Sequence, residues 1–245
     1  MRKFGLIGKT LVHSFSKKYF TEKFEREAVD ANYELYSIAN VDSLRQFVQE
    51  HSLCGLNVTV PYKQDVIPLL DEIDSEAQMV GAVNVIKIKR EGERLCLKGF
   101  NTDVVGFRNS LKPLLKPWHT SALVLGTGGA SKAVLYVLEN LGIAARCVSR
   151  QKREGMLTYE TLDADVMRRN TLIVNTTPLG TFPNVETCPD IPYRLLTEKH
   201  LLFDLVYNPE QTLFMKKGLQ NGAAVKNGYE MLVGQAEASW RIWNL

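Results

Sequence analysis

Three glycines within four positions, Gly126-Thr-Gly128-Gly129, interrupt an apolar run that begins at Ala122. Helical spacing resumes behind them, with Ala133, Val134, Val137, Leu138 and Leu141 apolar. A strand, a glycine turn and a helix, in that order, suit the pyrophosphate of a dinucleotide. Gly126 permits the tight turn, Gly128 lets backbone approach the phosphates, and the helix N-terminus offers N–H donors and a positive dipole end. Ser131 stands where the fingerprint usually has Gly or Ala. The plainer alternative is a strand-to-helix turn that binds nothing.

The acidic residue that would hold a ribose 2′-hydroxyl is expected about 20 residues further on. There the strand Ala145-Arg-Cys-Val-Ser149 runs into Arg150-Gln-Lys152-Arg153, with no carboxylate before Glu154. Three cations in four positions suit a 2′-phosphate, a guanidinium serving as fork donor and stacking plane. A solvated basic loop is the alternative. The offset favours NADP over NAD.

A second set of polar residues lies at or just beyond the ends of expected strands: Ser14 and Ser16, Thr59 with Lys63, Asn84, and Asp103. In open sheets that edge is where ligands bind. Singly, each has a mundane role. Ser16 and Asp103 could cap helices, Lys63 could be solvated, and Asn84 could be a turn residue.

The elements that must position these groups follow from periodicity. Residues 3–7, Tyr33–Ile38 and Gly55–Val60 read as strands, the last stopped by Pro61. Helices are expected over Lys18–Val29 and from an Asp42 cap to about His51, with short ones at Val66–Leu70 and Ser75–Val80. Val83–Lys89 and Arg94–Phe100 flank Arg90-Glu91-Gly92-Glu93 as a hairpin. A helix follows Asp103, and Pro117-Trp-His-Thr120 reads as a boundary loop before the glycine-rich unit. Beyond that unit come strands at Ala145–Val148, Thr171–Asn175, Leu201–Leu205 and Ala223–Val225. A long proline-bearing loop covers Pro178–Pro192, and helices cover Glu210–Gln220 and about Tyr229–Trp243.

The 245 residues suffice for one large or two smaller domains, and 45% hydrophobic residues can fill their cores. Thirty basic against 27 acidic residues, interspersed, give +3, which argues against nucleic acid or a membrane surface as partner. No apolar run approaches the roughly 18 residues of a membrane span, and the N-terminus reads as a first strand and not a signal peptide. Cys54, Cys96, Cys147 and Cys188 lack paired spacing, so no metal site is expected and reduced thiols in the cytoplasm are.

His13-Ser-Phe-Ser16, Asn57-Val-Thr-Val-Pro-Tyr-Lys63, Gly81-Ala-Val-Asn84, Gly99-Phe-Asn-Thr-Asp103, Gly126-Thr-Gly-Gly-Ala-Ser131, Asn175-Thr-Thr-Pro-Leu-Gly180 and Gly234-Gln-Ala236 together resemble the motif series of the shikimate dehydrogenase family. They occur in the family's order and span nearly the whole chain. The resemblance implies an α/β protein of two domains with a cleft between them. A mostly parallel α/β substrate domain (1–102, joined by the C-terminal helix 229–245) would precede a Rossmann NADP-binding domain (103–228). The implied reaction is reversible NADPH-dependent reduction of 3-dehydroshikimate to shikimate, a step of aromatic amino acid biosynthesis, by a monomer or homodimer. Lys63 and Asp103 would be the catalytic pair. Ser14 and Ser16, aided by Tyr207, would bind the substrate carboxylate, and Thr59, Asn84, Asp103 and Gln235 the ring hydroxyls. Gln235 is expected to open the last helix. The cofactor would lie against Gly126, Thr127, Gly128, Gly129, Ala130, Ser131, Ser149, Arg150, Lys152, Arg153, Asn175, Thr176, Thr177, Leu205 and Gly228.

The chain departs from the family pattern at Lys17 (usually proline), at Ser149-Arg150-Gln151 (often Asn-Arg-Thr) and at Thr181 (often methionine). Activity on quinate as well, or a ligand-binding paralogue without chemistry, are the alternatives. A methylenetetrahydrofolate dehydrogenase would share the architecture and a Tyr-x-x-x-Lys pair, but the His-Ser-Phe-Ser loop and the Asn-Thr-Asp run speak against it.

Overall fold

The computed structural model describes every residue except Val12, His13 and Glu93; the histidine of the His-Ser-Phe-Ser motif therefore lies outside the described residues. The chain forms two compact units, Met1–Thr102 with Ala236–Leu245, and Asp103–Gln235. Residues 117–120 fall inside the second unit.

The first unit runs β1 (Arg2–Gly8), α1 (Phe15–Arg26), β2 (Ala31–Ser37), α2 (Leu44–Glu50), β3 (Gly55–Val58), β4 (Glu72–Ile73), α3 (Ser75–Val80), β5 (Val85–Glu91) and β6 (Arg94–Phe100). Its sheet has the order β2-β1-β3-β5-β6-β4. β1 is parallel to β2 and β3, while β5 runs antiparallel to both β3 and β6. That reversal matters for the site. Val85 pairs with Asn57 and with Phe100, so the start of β5 and the end of β6 share one sheet edge with the end of β3. The Thr59 N–H bonds the Ile7 carbonyl there, which brings in the end of β1 as well.

Two local expectations are corrected. The N-cap position of α2 is Ser43, not Asp42: the helix starts at Leu44, and the Ser43 carbonyl accepts the Phe47 N–H (2.9 Å) as an N-cap carbonyl does. Residues 66–70 hold only a single 3₁₀ turn, Ile67–Leu69, with Pro68 inside it.

The second unit runs α4 (Asp103–Leu111), β7 (Ser121–Leu125), α5 (Gly129–Asn140), β8 (Ala144–Ser149), β9 (Leu157–Thr158), α6 (Ala164–Arg169), β10 (Leu172–Asn175), β11 (Leu201–Asp204), α7 (Leu213–Gln220), β12 (Ala224–Lys226) and the start of α8 (Tyr229–Asn244). All strands are parallel, in the order β12-β11-β10-β7-β8-β9. Renumbered within the unit this is 3-2-1-4-5-6 read from the other edge, the doubly wound dinucleotide-binding order, with its reversal between β7 and β10. Both strands are wholly buried from Ala122 to Leu125 and from Leu172 to Asn175, as strands covered on both faces must be. The β8–β9 connection, residues 150–156, contains no helix. None is needed, since β9 pairs only with the last two residues of β8 and the chain does not return along the sheet.

The end of α8 belongs to the first unit, where Trp243 stacks on Phe4 (centroids 4.8 Å) and donates to the Ile86 carbonyl (3.1 Å). Gly55 is glycine because a methyl there would lie 2.5 Å from the Trp243 ring. All four cysteines are unpaired thiols, and no helix among the described residues is long and apolar enough to cross a membrane.

Candidate active site

The reversal point of the second sheet carries the glycine turn. Gly126 has φ +109°, and a methyl on it would lie 2.8 Å from Thr176 Oγ1, so the turns after β7 and β10 meet there. The Thr176 backbone N–H and hydroxyl both donate to the Leu125 carbonyl, at 3.0 and 2.7 Å. Gly128 is the N-cap residue of α5, extended and without a side-chain cap. A methyl there would meet nothing within 4 Å, so the approach to the helix end is open. Thr127 and Gly128 are exposed, and Gly129 and Ala130 half-buried. Ser131 is 2% exposed, its hydroxyl donating to the Gly128 carbonyl at 2.6 Å. A small hydroxyl that can bond back into the turn thus fills the position where the fingerprint has Gly or Ala. This bare helix end suits a pyrophosphate.

Beyond β8 the chain bends because buried Ser149 accepts the Gln151 N–H through Oγ (3.2 Å). Arg150, Lys152 and Arg153 follow, all exposed. Arg150 and Lys152 border a concavity of about 530 Å³ that Tyr159, Thr161 and Asp190 also line. Exposed cations around an open hollow suit a phosphate monoester.

Asn175 is wholly buried and presents no surface to a ligand. Its amide N–H donates to Asp204 Oδ1 (2.9 Å), and its own Oδ1 accepts from the Thr177 N–H (3.0 Å) and hydroxyl (2.7 Å). It therefore shapes the Thr176–Thr177 turn from beneath. Asp204 also accepts from the Val206 N–H (3.0 Å) and the Thr212 hydroxyl (2.6 Å). Burial pushes its carboxyl up to about 6, against the pull of these donors. Asp204 and Thr212 are the residues of this cluster that motif reasoning passes over; the available signal is an aspartate closing the apolar strand Leu201-Leu-Phe-Asp204. Leu205 and Gly228 touch directly, since a methyl on Gly228 would lie 2.1 Å from the Leu205 carbonyl oxygen. Tyr207 is half-buried.

Asp103 is the first residue of α4 and 7% exposed. One turn on, a methyl at Gly106 would lie 2.3 Å from the Met231 carbonyl oxygen and 3.1 Å from the Gln235 nitrogen. Helices α4 and α8 thus approach backbone to backbone, which fixes Asp103 and Gln235 on neighbouring surfaces. Gln235, 9% exposed, sits in the second turn of α8 and does not open it.

In the first unit, Ser14 occupies the N-cap position of α1 but makes no capping bond, and Ser16 lies inside the helix. Thr59 and Lys63 are half-buried in the turn after β3, where the Lys63 carbonyl accepts the Val83 N–H (2.7 Å). Asn84, 3% exposed, accepts the Thr102 N–H through Oδ1 (2.7 Å) and donates to Thr102 Oγ1 (3.1 Å). Asn57 donates to the Asn84 carbonyl (3.3 Å) and to Ser239 (3.1 Å), and accepts from the Tyr33 hydroxyl (2.7 Å). Ser239 in turn bonds Thr102 (3.2 Å). Tyr33, Asn57, Thr102 and Ser239 are the members of this buried network that sequence reasoning gives no role.

One unit is thus a doubly wound dinucleotide-binding module. The other gathers hydroxyl, amide and ammonium groups at one edge of a mixed sheet. The family model described as the shikimate dehydrogenase substrate binding domain matches residues 6–86. The shikimate dehydrogenase (NADP(+)) of Clostridium beijerinckii is 34% identical over 255 residues, which cover 99% of this chain and 92% of that one. The structure of shikimate dehydrogenase 1 from Peptoclostridium difficile has a TM-score of 0.86 and 35% identity, covering 100% of this chain and 92% of its own. That of shikimate 5-dehydrogenase from Thermus thermophilus, in complex with NADP(H) and shikimate, has a TM-score of 0.85 and 30% identity, covering 99% and 93%. The chain belongs to the shikimate dehydrogenase family.

Proposed function

We propose that this protein is an NADP-dependent shikimate dehydrogenase, catalysing the reversible reduction of 3-dehydroshikimate to shikimate. The observation that carries the reading is the near-complete match, in sequence and fold, to relatives named for this activity. The unit of residues 1–102 with 236–245 is the substrate domain in this reading, and that of residues 103–235 the cofactor domain. The bare N-terminus of α5 takes the pyrophosphate, and Arg150 and Lys152, with Arg153, take the 2′-phosphate. The turn shaped by Asn175 takes the nicotinamide side. When bound, the coenzyme supplies the hydride.

The protein's own part is binding and proton management. Ser14, Ser16 and Tyr207 hold the substrate carboxylate; Thr59, Asn84, Asp103 and Gln235 hold ring hydroxyls. Lys63 carries the chemistry: an ammonium at the substrate carbonyl stabilises the growing negative charge and donates the proton that completes the alcohol. Asp103 accepts from a ring hydroxyl and fixes its orientation. We place the enzyme in the cytoplasm, acting on small molecules alone, as a monomer or homodimer. The test is optical: NADP reduction with shikimate, repeated with NAD and with quinate. Turnover with shikimate and NADP is expected to exceed both other combinations, and its absence overturns the reading.

A further inference from the structure

Ser14 heads α1 and spends no side-chain hydrogen bond on its own helix, so its place depends on how the first turn is held. The next residue, Phe15, stacks on Tyr19 one turn further on (centroids 5.3 Å, planes 23° apart). The Tyr19 ring also meets the wholly buried Phe20 edge-on, at 5.5 Å and 84°. The Tyr19 hydroxyl donates to Glu237 Oε1 on α8. Burial, and then Glu237 itself, holds that hydroxyl above its ordinary pKa, so it remains a donor. Buried Lys23, one turn beyond Tyr19, donates to both oxygens of the same carboxylate, at 2.9 and 3.1 Å, and to Glu27 at 2.8 Å. One carboxylate of α8 thus grips two successive turns of α1. Only the Tyr19 leg continues, through the Phe15 ring, to the serine end. Lys17 joins that end to Glu34 on β2 at 2.6 Å, but both side chains are nearly half exposed and water screens the pair.

We propose that Tyr19 is a positioning residue for the substrate's acid group: tied to Glu237 and stacked on Phe15, it sets where Ser14 presents its hydroxyl, without touching substrate itself. The proposal deepens the functional reading above and rests on it. Cutting the tether lets the Phe15 ring and the head of α1 shift together, so the loss falls on carboxylate affinity and not on proton or hydride transfer.

The test is Tyr19→Phe, which keeps the ring on Phe15 and removes the tether. KM for shikimate is expected to rise about fivefold, the worth of one net hydrogen bond. Turnover and KM for NADP stay unchanged. Glu237→Leu should reproduce the rise, and serves if Tyr19→Phe proves unstable in thermal unfolding. Glu237→Gln, which keeps an oxygen for the Tyr19 proton, should restore KM. In a Ser14→Ala background Tyr19→Phe should add little, the signature of a residue acting through another. Lys23→Met cuts the other leg; it should lower the thermal unfolding midpoint and leave KM for shikimate where it was. An unchanged KM in Tyr19→Phe, or its full rise in the Ser14→Ala background, overturns the assignment of Tyr19. So does an equal rise in Lys23→Met, since any loosening of α1 would then suffice. A wild-type protein that does not oxidise shikimate overturns the functional reading instead.

Discussion

The Asn175 amide donates to a buried carboxylate, Asp204 Oδ1, across the ends of two adjacent parallel strands at 2.9 Å. The Asn175 amide is oriented by the Thr177 N–H, so it can face Asp204 only as a donor. This pair fixes the turn that follows β10 and the segment leading to Tyr207.

The first prediction concerns the acid dependence of stability. Asp204 titrates near 6 in the fold against an ordinary value of 3.8. A raised folded value means that the native state binds the proton more tightly than the unfolded chain. The contribution is fully present below the unfolded value and is lost as pH rises through about 6. Asp204→Asn removes it. Relative to that variant, the wild type should gain on the order of 2–3 kcal/mol between pH 7.5 and pH 4 in urea unfolding. A difference that stays constant with pH would refute the assignment.

Two histidines work in the opposite sense. His119 accepts the Lys116 N–H and bonds the Lys199 carbonyl, and His200 accepts the Thr197 N–H and bonds the Met167 carbonyl. Each is therefore neutral with its proton on Nε2, and burial lowers its pKa. Their contribution is complete above the unfolded value of about 6.5 and is lost as pH falls below it. Replacing both with Gln should flatten the loss of stability between pH 6.5 and 5, and an unchanged slope would count against this account.

Lys63→Ala should lower turnover by roughly 10²–10⁴-fold if the ammonium is the proton donor, with a smaller change in KM. Steady-state kinetics with saturating NADP separate the two. Ser14→Ala should instead raise KM for shikimate and spare turnover.

Arg150→Ala should raise KM for NADP on the order of tenfold and leave KM for NAD nearly unchanged, since only the 2′-phosphate is lost as a partner. Equal effects on both coenzymes would place Arg150 outside the recognition site.

Gly106→Ala gains helix propensity of about 1 kcal/mol but drives a methyl to 2.3 Å from the Met231 carbonyl oxygen. Backbone cannot move aside as a side chain can. A net destabilisation of roughly 1–3 kcal/mol is expected, together with reduced activity, because Asp103 and Gln235 shift. Thermal unfolding and kinetics on the same preparation check both.

Much of this was legible beforehand because it is local. The glycine turn, the helix behind it and the cations after Ser149 are contiguous in sequence and obey period and spacing rules. What escaped reading is non-local. Ser239 meets Asn57 across 182 positions and Thr102 across 137. Nothing in the helical periodicity of α8 marks Ser239 as different from a core serine. The approach of Gly106 to the Met231 carbonyl and the Gln235 nitrogen is likewise invisible, since an isolated glycine in a helix signals neither its neighbour nor the missing methyl. The motif marks Asn175 as a candidate cofactor contact, whereas its buried side chain bonds only Asp204 and Thr177: a motif names a residue without telling whether its side chain faces ligand or scaffold.

The helix-free β8–β9 connection separates two properties that most strand crossovers tie together. A crossover helix would pack on the sheet, and any change in it would alter both the core and the coenzyme's surroundings. Here Arg150, Gln151, Lys152 and Arg153 are all exposed on a segment that contributes no core side chain. If these cations hold the 2′-phosphate as proposed, coenzyme choice can be changed by replacing this loop alone, with the thermal stability of the fold left where it was.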